Sequence, residues 1–232
     1  FDGNIEATEL VLRIILNRQD IKVMQVTAQK VMKNLMGRDI WLDILAKDDR
    51  NEILNLEIQR SDKGADRKRA RYHSSILDAH LLKPNEDFDK LPETYVIFIT
   101  ENDVIGEDQP IYRIERYIEG SGKLFGDGEH IIYVNGANQD SETALGKLMH
   151  DFSCTNPDEM YYKLLADRTR FFKETTEGVE TMSSVLDEMK NETVEKVALN
   201  LLQFDKLTVE EIAESTGLTV ERVRELAAQK SA

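Results

Sequence analysis

Apolar runs separated by polar turns organise the larger, N-terminal part of the chain, and helical periodicity organises the rest. From Asn4 to Asn17, Ile5, Leu10, Val11, Ile14 and Ile15 recur at the three- and four-residue spacing of a helix face. Ile21 to Val31 sets Val23, Val26 and Val31 among polar residues and predicts a strand. Ile40 to Ala46 and Ile53 to Gln59 are apolar at successive positions, so both faces of these strands are expected to be covered. Gly64 to Leu82 repeats Ala70, Ser74, Leu77 and Leu81 along one helix face and ends at Lys83-Pro84-Asn85. Thr94 to Thr100 is almost wholly β-branched and aromatic, the mark of a central strand. The order read from the pattern is α-β-β-β-α-β, an α/β protein with a central sheet flanked by helices.

Two further strands are expected at Ile111 to Ile118 and Ile131 to Val134. The glycine-rich segment between them, Glu119 to Gly128, leads into a strand rather than a helix, so a hairpin connection is favoured over a phosphate-cradling loop. Ser141 to Phe152, Pro157 to Phe172 and Glu177 to Phe204 read as helices, the last a long one with apolar positions from Val179 to Leu202. Residues 207–228 then read as helix, glycine turn at Gly217 and helix, with Thr208 and Thr219 placed as N-caps. This tail is similar to a helix-turn-helix. Its second helix offers Arg222 and Arg224 flanked by Glu221 and Glu225, which leaves DNA contact, intramolecular packing and dimerisation all open.

Two carboxylates interrupt the covered strands, Asp43 in the first and Glu57 in the second, with thirteen residues between them. An ionised carboxylate in such a setting is costly unless paired, and a bound cation is one such partner. A hairpin closing near Asp48-Asp49-Arg50-Asn51 brings residues 43 and 57 opposite one another, and the period-two rule puts Gln59 on the same face as Glu57. Opposed strand residues lie roughly 4.5–5.5 Å apart at Cβ. That spacing lets both carboxylates reach one hard divalent ion that keeps several of its waters. Gln59 then orients a water or a phosphate oxygen, or is an ordinary polar strand residue.

The same residues resemble the catalytic motif of the PD-(D/E)XK nucleases, here Asp43 followed by Glu57-Ile58-Gln59. Arg38-Asp39-Ile40-Trp41-Leu42-Asp43-Ile44, Asn55 to Arg60, Arg69-Ala70-Arg71-Tyr72-His73-Ser74, Tyr95 to Thr100 and Phe125-Gly126-Asp127-Gly128 look like the transposase-associated branch, which is related to the recombination-promoting nucleases. The resemblance covers roughly Ile5 to Phe172 and implies a restriction-endonuclease-like core over residues 1–172, with a helical C-terminal region over 173–232. It implies a metal-dependent DNA endonuclease acting in transposition or recombination, with Asp43, Glu57 and Gln59 catalytic. Mg²⁺, or Mn²⁺ in its place, would be held by Asp43, Glu57 and the Ile58 carbonyl, and the leaving oxygen would depart as a 3′-hydroxyl. Many members of the superfamily place an additional acid on the first helix, where Glu6 and Glu9 stand. The superfamily lysine is Gln59 here, a substitution that this branch shares, and Lys68 or Arg71 is a candidate for the missing charge. The alternative is a catalytically silent nuclease fold that binds DNA or assembles a mobile element. Members of the family usually carry a further segment before the position of Phe1.

With 232 residues, 41% of them hydrophobic, the chain is long and apolar enough for one main domain and a smaller appendage. The single Cys154 excludes an internal disulfide and a cysteine-based zinc cluster, and no run is apolar enough to span a bilayer, so a cytoplasmic setting is expected. A net charge of −14 opposes a polyanionic partner, yet the segment from Arg60 to Arg71 holds six basic residues against two acidic ones. Arg60, Lys63, Arg67, Lys68 and Arg71 therefore form a candidate DNA-binding patch beside the acidic pair. His73 and His80, seven apart, are expected to share a helix face and to serve packing. The long helix and the tail point to self-association, with a homodimer as the expected assembly.

Overall fold

The structure is a computed structural model that describes residues 4–34, 37–59, 64–203 and 207–230. The chain divides into two compact units, Phe1–Ala166 and Asp167–Ala232. In the first, six strands, β1 (Val23–Met32), β2 (Ile40–Asp48), β3 (Ile53–Gln59), β4 (Thr94–Thr100), β5 (Ile111–Ile114) and β6 (Glu129–Asn135), form one sheet in the order β1-β2-β3-β4-β6-β5. The first three are antiparallel neighbours, and a short turn joins β2 to β3. β3 and β4 are parallel, which requires a crossover, and helix α2 (Arg67–Leu81) lies in that connection. β6 adds in parallel to β4, and β5 returns antiparallel at the edge.

The apolar pattern covers this mixed sheet on both faces. On one face Val11, Leu12 and Ile15 of α1 (Ile5–Leu16) and Leu148 of α3 (Ala144–Ser153) pack with Leu56 and Ile97. On the other, Ala70 and Leu77 of α2 pack with Leu42, Val96, Phe98 and Tyr133. All seven residues of β4 are buried, so the continuous apolar run marks the strand with helices on both sides. Each fully buried Leu, Ile or Phe contributes roughly 1.5–3 kcal/mol. The α-β-β-β-α-β order and the restriction-endonuclease-like architecture expected from the sequence are what the chain adopts.

Three elements depart from the pattern for local reasons. β5 ends at Ile114 rather than Ile118; beyond it the chain runs into a narrow hairpin with a Tyr117–Leu124 bridge, where Gly120, Gly122, Gly126 and Gly128 take positive φ. The helix expected from Pro157 to Phe172 is split into a short 3-10 turn, Pro157–Glu159, and α4 (Lys163–Glu174). The buried Asp151 carboxylate draws the N–H groups of Tyr161 and Tyr162 at 2.8 Å each, which holds the chain out of helix there. His73 and His80 do not share an environment: His73 is 2% exposed over the sheet, whereas His80 is exposed in the last turn of α2.

The second unit is helical, with α5 (Thr176–Gln203), α6 (Val209–Thr216) and α7 (Val220–Lys230). Phe204, where the long helix was expected to end, lies outside the described residues. Thr208 and Glu211 form a reciprocal capping box, Gly217 closes α6 at φ +74°, and the Thr219 hydroxyl accepts from the N–H of Arg222. Ala198 packs with Ile212, Ala213, Val223 and Leu226 in a small core of its own.

Candidate active site

The β2–β3 ladder pairs Ile44 with Leu56, and its next step opposes Asp43 to Glu57. Side chains take over from the backbone at this point. The Ile58 N–H donates to Asp43 Oδ2 at 2.8 Å, and the Asp43 N–H donates to Glu57 Oε1 at 3.3 Å. The two carboxylates thus sit side by side at the end of an antiparallel ladder, beneath α2.

Glu57 is 0% exposed, and burial pushes its carboxyl up to about 8. The neighbouring Asp43 charge adds to the rise, while Arg69, the Asn55 amide and the Asp43 N–H oppose it. Asp43, half-buried, is raised as well, again by burial, against the Ile58 N–H and Arg69. Two acids with raised proton affinity, Glu57 raised further by the Asp43 charge, thus lie beside the Arg69 guanidinium.

Helix α2 meets Glu57 through Arg69 and His73. Arg69 Nη2 meets Glu57 Oε2 at 3.2 Å, its Nη1 donates to the Gly64 carbonyl at 2.7 Å, and its Nε donates to His73 Nε2 at 3.2 Å. The guanidinium also lies over the Phe98 ring at 5.8 Å. His73 Nδ1 stands 3.7 Å from Glu57 Oε1. Burial, followed by Arg69 and Arg38, holds His73 down at about 4, so the ring is neutral and this is no ion pair. Because Nε2 accepts from Arg69, the ring proton resides on Nδ1, on the side of Glu57 Oε1. Asn55, two residues before Glu57 on the same face, is fully buried, and among the described residues its Oδ1 has no hydrogen-bond partner.

Gln59 is half-buried, and its side chain lies against Gly64: a Cβ there would stand 1.9 Å from Gln59 Oε1. The Gln59 carbonyl accepts from the Glu101 N–H toward β4. Backbone groups alternate sides along a strand, so the Ile58 carbonyl points to the β2 side, where its own N–H meets Asp43.

The first-helix acids are not brought to this site. Glu9 is occupied by Arg13 at 2.7 Å and by the Val23 N–H at 2.8 Å, and Val23 pairs with Asp48 at the far end of β2 from Asp43, about 17 Å along a strand at 3.4 Å per residue. Glu6 is exposed in the first turn of α1, the helix that packs against the opposite sheet face from α2. Of the basic patch, Arg67, Lys68 and Arg71 are exposed on α2, and Arg60 and Lys63 lie outside the described residues. Lys68 and Arg71, proposed as sources of the missing charge, point outward, and Arg69 between them is the one turned to Glu57. Sequence reasoning left Asn55, Arg69 and His73 out of the site. The signal for them was present: Asn55 shares the strand face of Glu57, and Arg69 and His73 are one helical turn apart in the helix after it. In the second unit, Arg222 is bound by both Glu195 oxygens and by Glu225, and Arg224 pairs with Glu210.

The donor set fits a hard divalent cation: a fully buried and a half-buried carboxylate in mutual reach, a backbone carbonyl on the same side and, nearby, the Asn55 oxygen, unpartnered among the described residues. Among the described residues no cluster of three or more His, Cys, Asp or Glu side chains forms a metal cage, so waters or a substrate phosphate would complete the shell. No helix among the described residues is long and apolar enough to cross a membrane. A family model described as PD-(D/E)XK nuclease family transposase matches residues 8–144. No curated protein matches the chain.

Proposed function

We infer that the chain, which belongs to the PD-(D/E)XK nuclease family transposases, is a metal-dependent DNA endonuclease that hydrolyses phosphodiesters during transposition or recombination. The observation that carries this reading is the opposition of Asp43 to Glu57, both desolvated and both raised, at the end of the β2–β3 ladder. A divalent cation, Mg²⁺ or Mn²⁺, held by Asp43, Glu57 and the Ile58 carbonyl would lower the pKa of a water and offset charge at the scissile phosphate. Around it, the Ile58 N–H and the guanidinium of Arg69 orient the two carboxylates. Gln59 is the polar side chain placed to orient the attacking water or a phosphate oxygen. The exposed Arg67, Lys68 and Arg71 of α2 give DNA phosphates a basic approach on an otherwise acidic protein, with Arg60 and Lys63 in the same stretch of sequence. A homodimer, to which the exposed Val179, Val197 and Leu207 of the helical unit lend support, would pair two such sites.

The test is incubation of the protein with supercoiled plasmid in Mg²⁺, Mn²⁺ or EDTA beside Asp43→Asn. Nicked or linear product that requires metal and vanishes in the variant is the expected result. A folded protein that binds DNA without cutting it would instead be a silent nuclease fold serving as a DNA-binding module.

A further inference from the structure

Gln59 is neutral, so the strand that carries Glu57 offers no cation of its own at the acidic pair. Helix α2 does. The Arg69 guanidinium is fixed from four directions, by Glu57 Oε2, the Gly64 carbonyl, His73 Nε2 and the Phe98 ring, yet its side chain stays 37% exposed. The inner edge is locked onto a carboxylate with no solvent exposure, while part of the side chain stays open to solvent and to an incoming ligand. A guanidinium stays protonated throughout the working pH range, so it cannot shuttle protons; what it supplies is a placed positive charge with directional donors.

Resting on the nuclease reading above, we propose that Arg69 supplies from the helix the positive charge that a lysine would bring to the strand, aligning Glu57 and stabilising negative charge that develops on the scissile phosphate. His73 is a positioning residue in this arrangement. Its neutral ring accepts from Arg69 Nε and fixes the plane of the guanidinium, so that Nη2 is aimed at Glu57. Lys68 and Arg71, one residue before Arg69 and two after it, are exposed and serve DNA approach. The charge at the reacting centre and the charge that gathers DNA are thereby divided between adjacent positions of one helix.

Single-turnover and steady-state cleavage of plasmid DNA, with Mn²⁺ binding followed by electron paramagnetic resonance, separate these roles in wild type, Arg69→Gln and Arg69→Lys. Arg69→Gln is expected to lower kcat about 100-fold or more, with KM within about threefold and with Mn²⁺ still bound. Arg69→Lys, which keeps a charge but loses the fork, should recover about tenfold of that loss. Thermal unfolding shows that each variant is folded. The proposal is overturned if Arg69→Gln cleaves at the wild-type rate, or if only KM rises, which makes Arg69 a DNA contact. It is also overturned if both variants lose Mn²⁺ binding alike, which makes Arg69 a scaffold for Glu57. A wild type that binds Mn²⁺ and DNA but cuts nothing refutes the nuclease reading itself, and this role with it; failure confined to the variants refutes this role alone.

Discussion

Replacing Glu57 by glutamine should stabilise the metal-free protein at alkaline pH and leave it unchanged in acid. The Glu57 carboxyl rises from an ordinary 4.5 to about 8 in the fold. The folded chain therefore binds a proton that the unfolded chain has released anywhere between those values. The stability this proton carries is fully present below 4.5 and is lost as pH rises through about 8. At about 1.4 kcal/mol per pH unit, the loss approaches about 5 kcal/mol as an upper bound. Glutamine keeps the volume and the hydrogen-bonding shape while removing the buried charge, but it also gives up the ion pair with Arg69, so the net gain at pH 9 is expected to be about 2–3 kcal/mol. For a unit of this size that is a rise in melting temperature of roughly 5–10 °C. His73 acts in the opposite sense over a lower window: held at about 4 against an ordinary 6.5, it adds stability above 6.5 that is lost as pH falls through 4. The difference between wild type and Glu57→Gln across pH 6.5–9 therefore isolates Glu57. Thermal unfolding in EDTA at half-unit steps is the assay. A wild-type curve that stays flat from pH 6.5 to 9, or a variant destabilised equally at every pH, would refute the electrostatic reasoning.

Other outcomes follow from the same geometry. Mn²⁺ must displace the proton on Glu57, so apparent affinity should climb up to about tenfold per pH unit toward pH 8 and then level; calorimetry in buffers of different ionisation enthalpy would show proton release, and a flat profile would contradict the raised carboxyl. Gly64→Val should evict the Gln59 side chain from its seat while leaving the melting temperature within a few degrees, because the collision is with the far end of a flexible group. Cleavage should fall with it by about tenfold if Gln59 orients water or phosphate, and unaltered cleavage would return Gln59 to an ordinary strand residue. Arg222→Ala should leave DNA affinity within about twofold, since its guanidinium is already engaged by Glu195 and Glu225; a large drop in a filter-binding assay would make the tail a DNA reader.

The fold was legible wherever burial on both faces forces an unbroken apolar run. Thr94 to Thr100 is the clearest case, with the strand in the structure spanning the same residues. The Asp43–Glu57 opposition was legible because carboxylates stand out in such runs and the hairpin turn sets the register. What could not be read was the rotation of α2 against the sheet. Ala70, Ser74 and Leu77 identify a buried face, but whether Lys68, Arg69 or Arg71 borders it beside Glu57 depends on how the helix settles over Phe98 and Tyr133. Glu9 was misleading for a related reason. Its carboxylate accepts from the Val23 N–H at the start of β1, fourteen residues on, a contact that periodicity does not encode. The break before α4 likewise rests on one buried side chain, Asp151, drawing two backbone N–H groups from a distance of ten and eleven residues.

The most direct test of the acidic pair as a metal centre is anomalous diffraction from a crystal of the protein grown with Mn²⁺. A single strong peak contacting one oxygen each of Asp43 and Glu57, with the Ile58 carbonyl beside it, is the expected result; Mn²⁺ bound elsewhere, with Glu57 still paired to Arg69 and no peak between the two carboxylates, would contradict it.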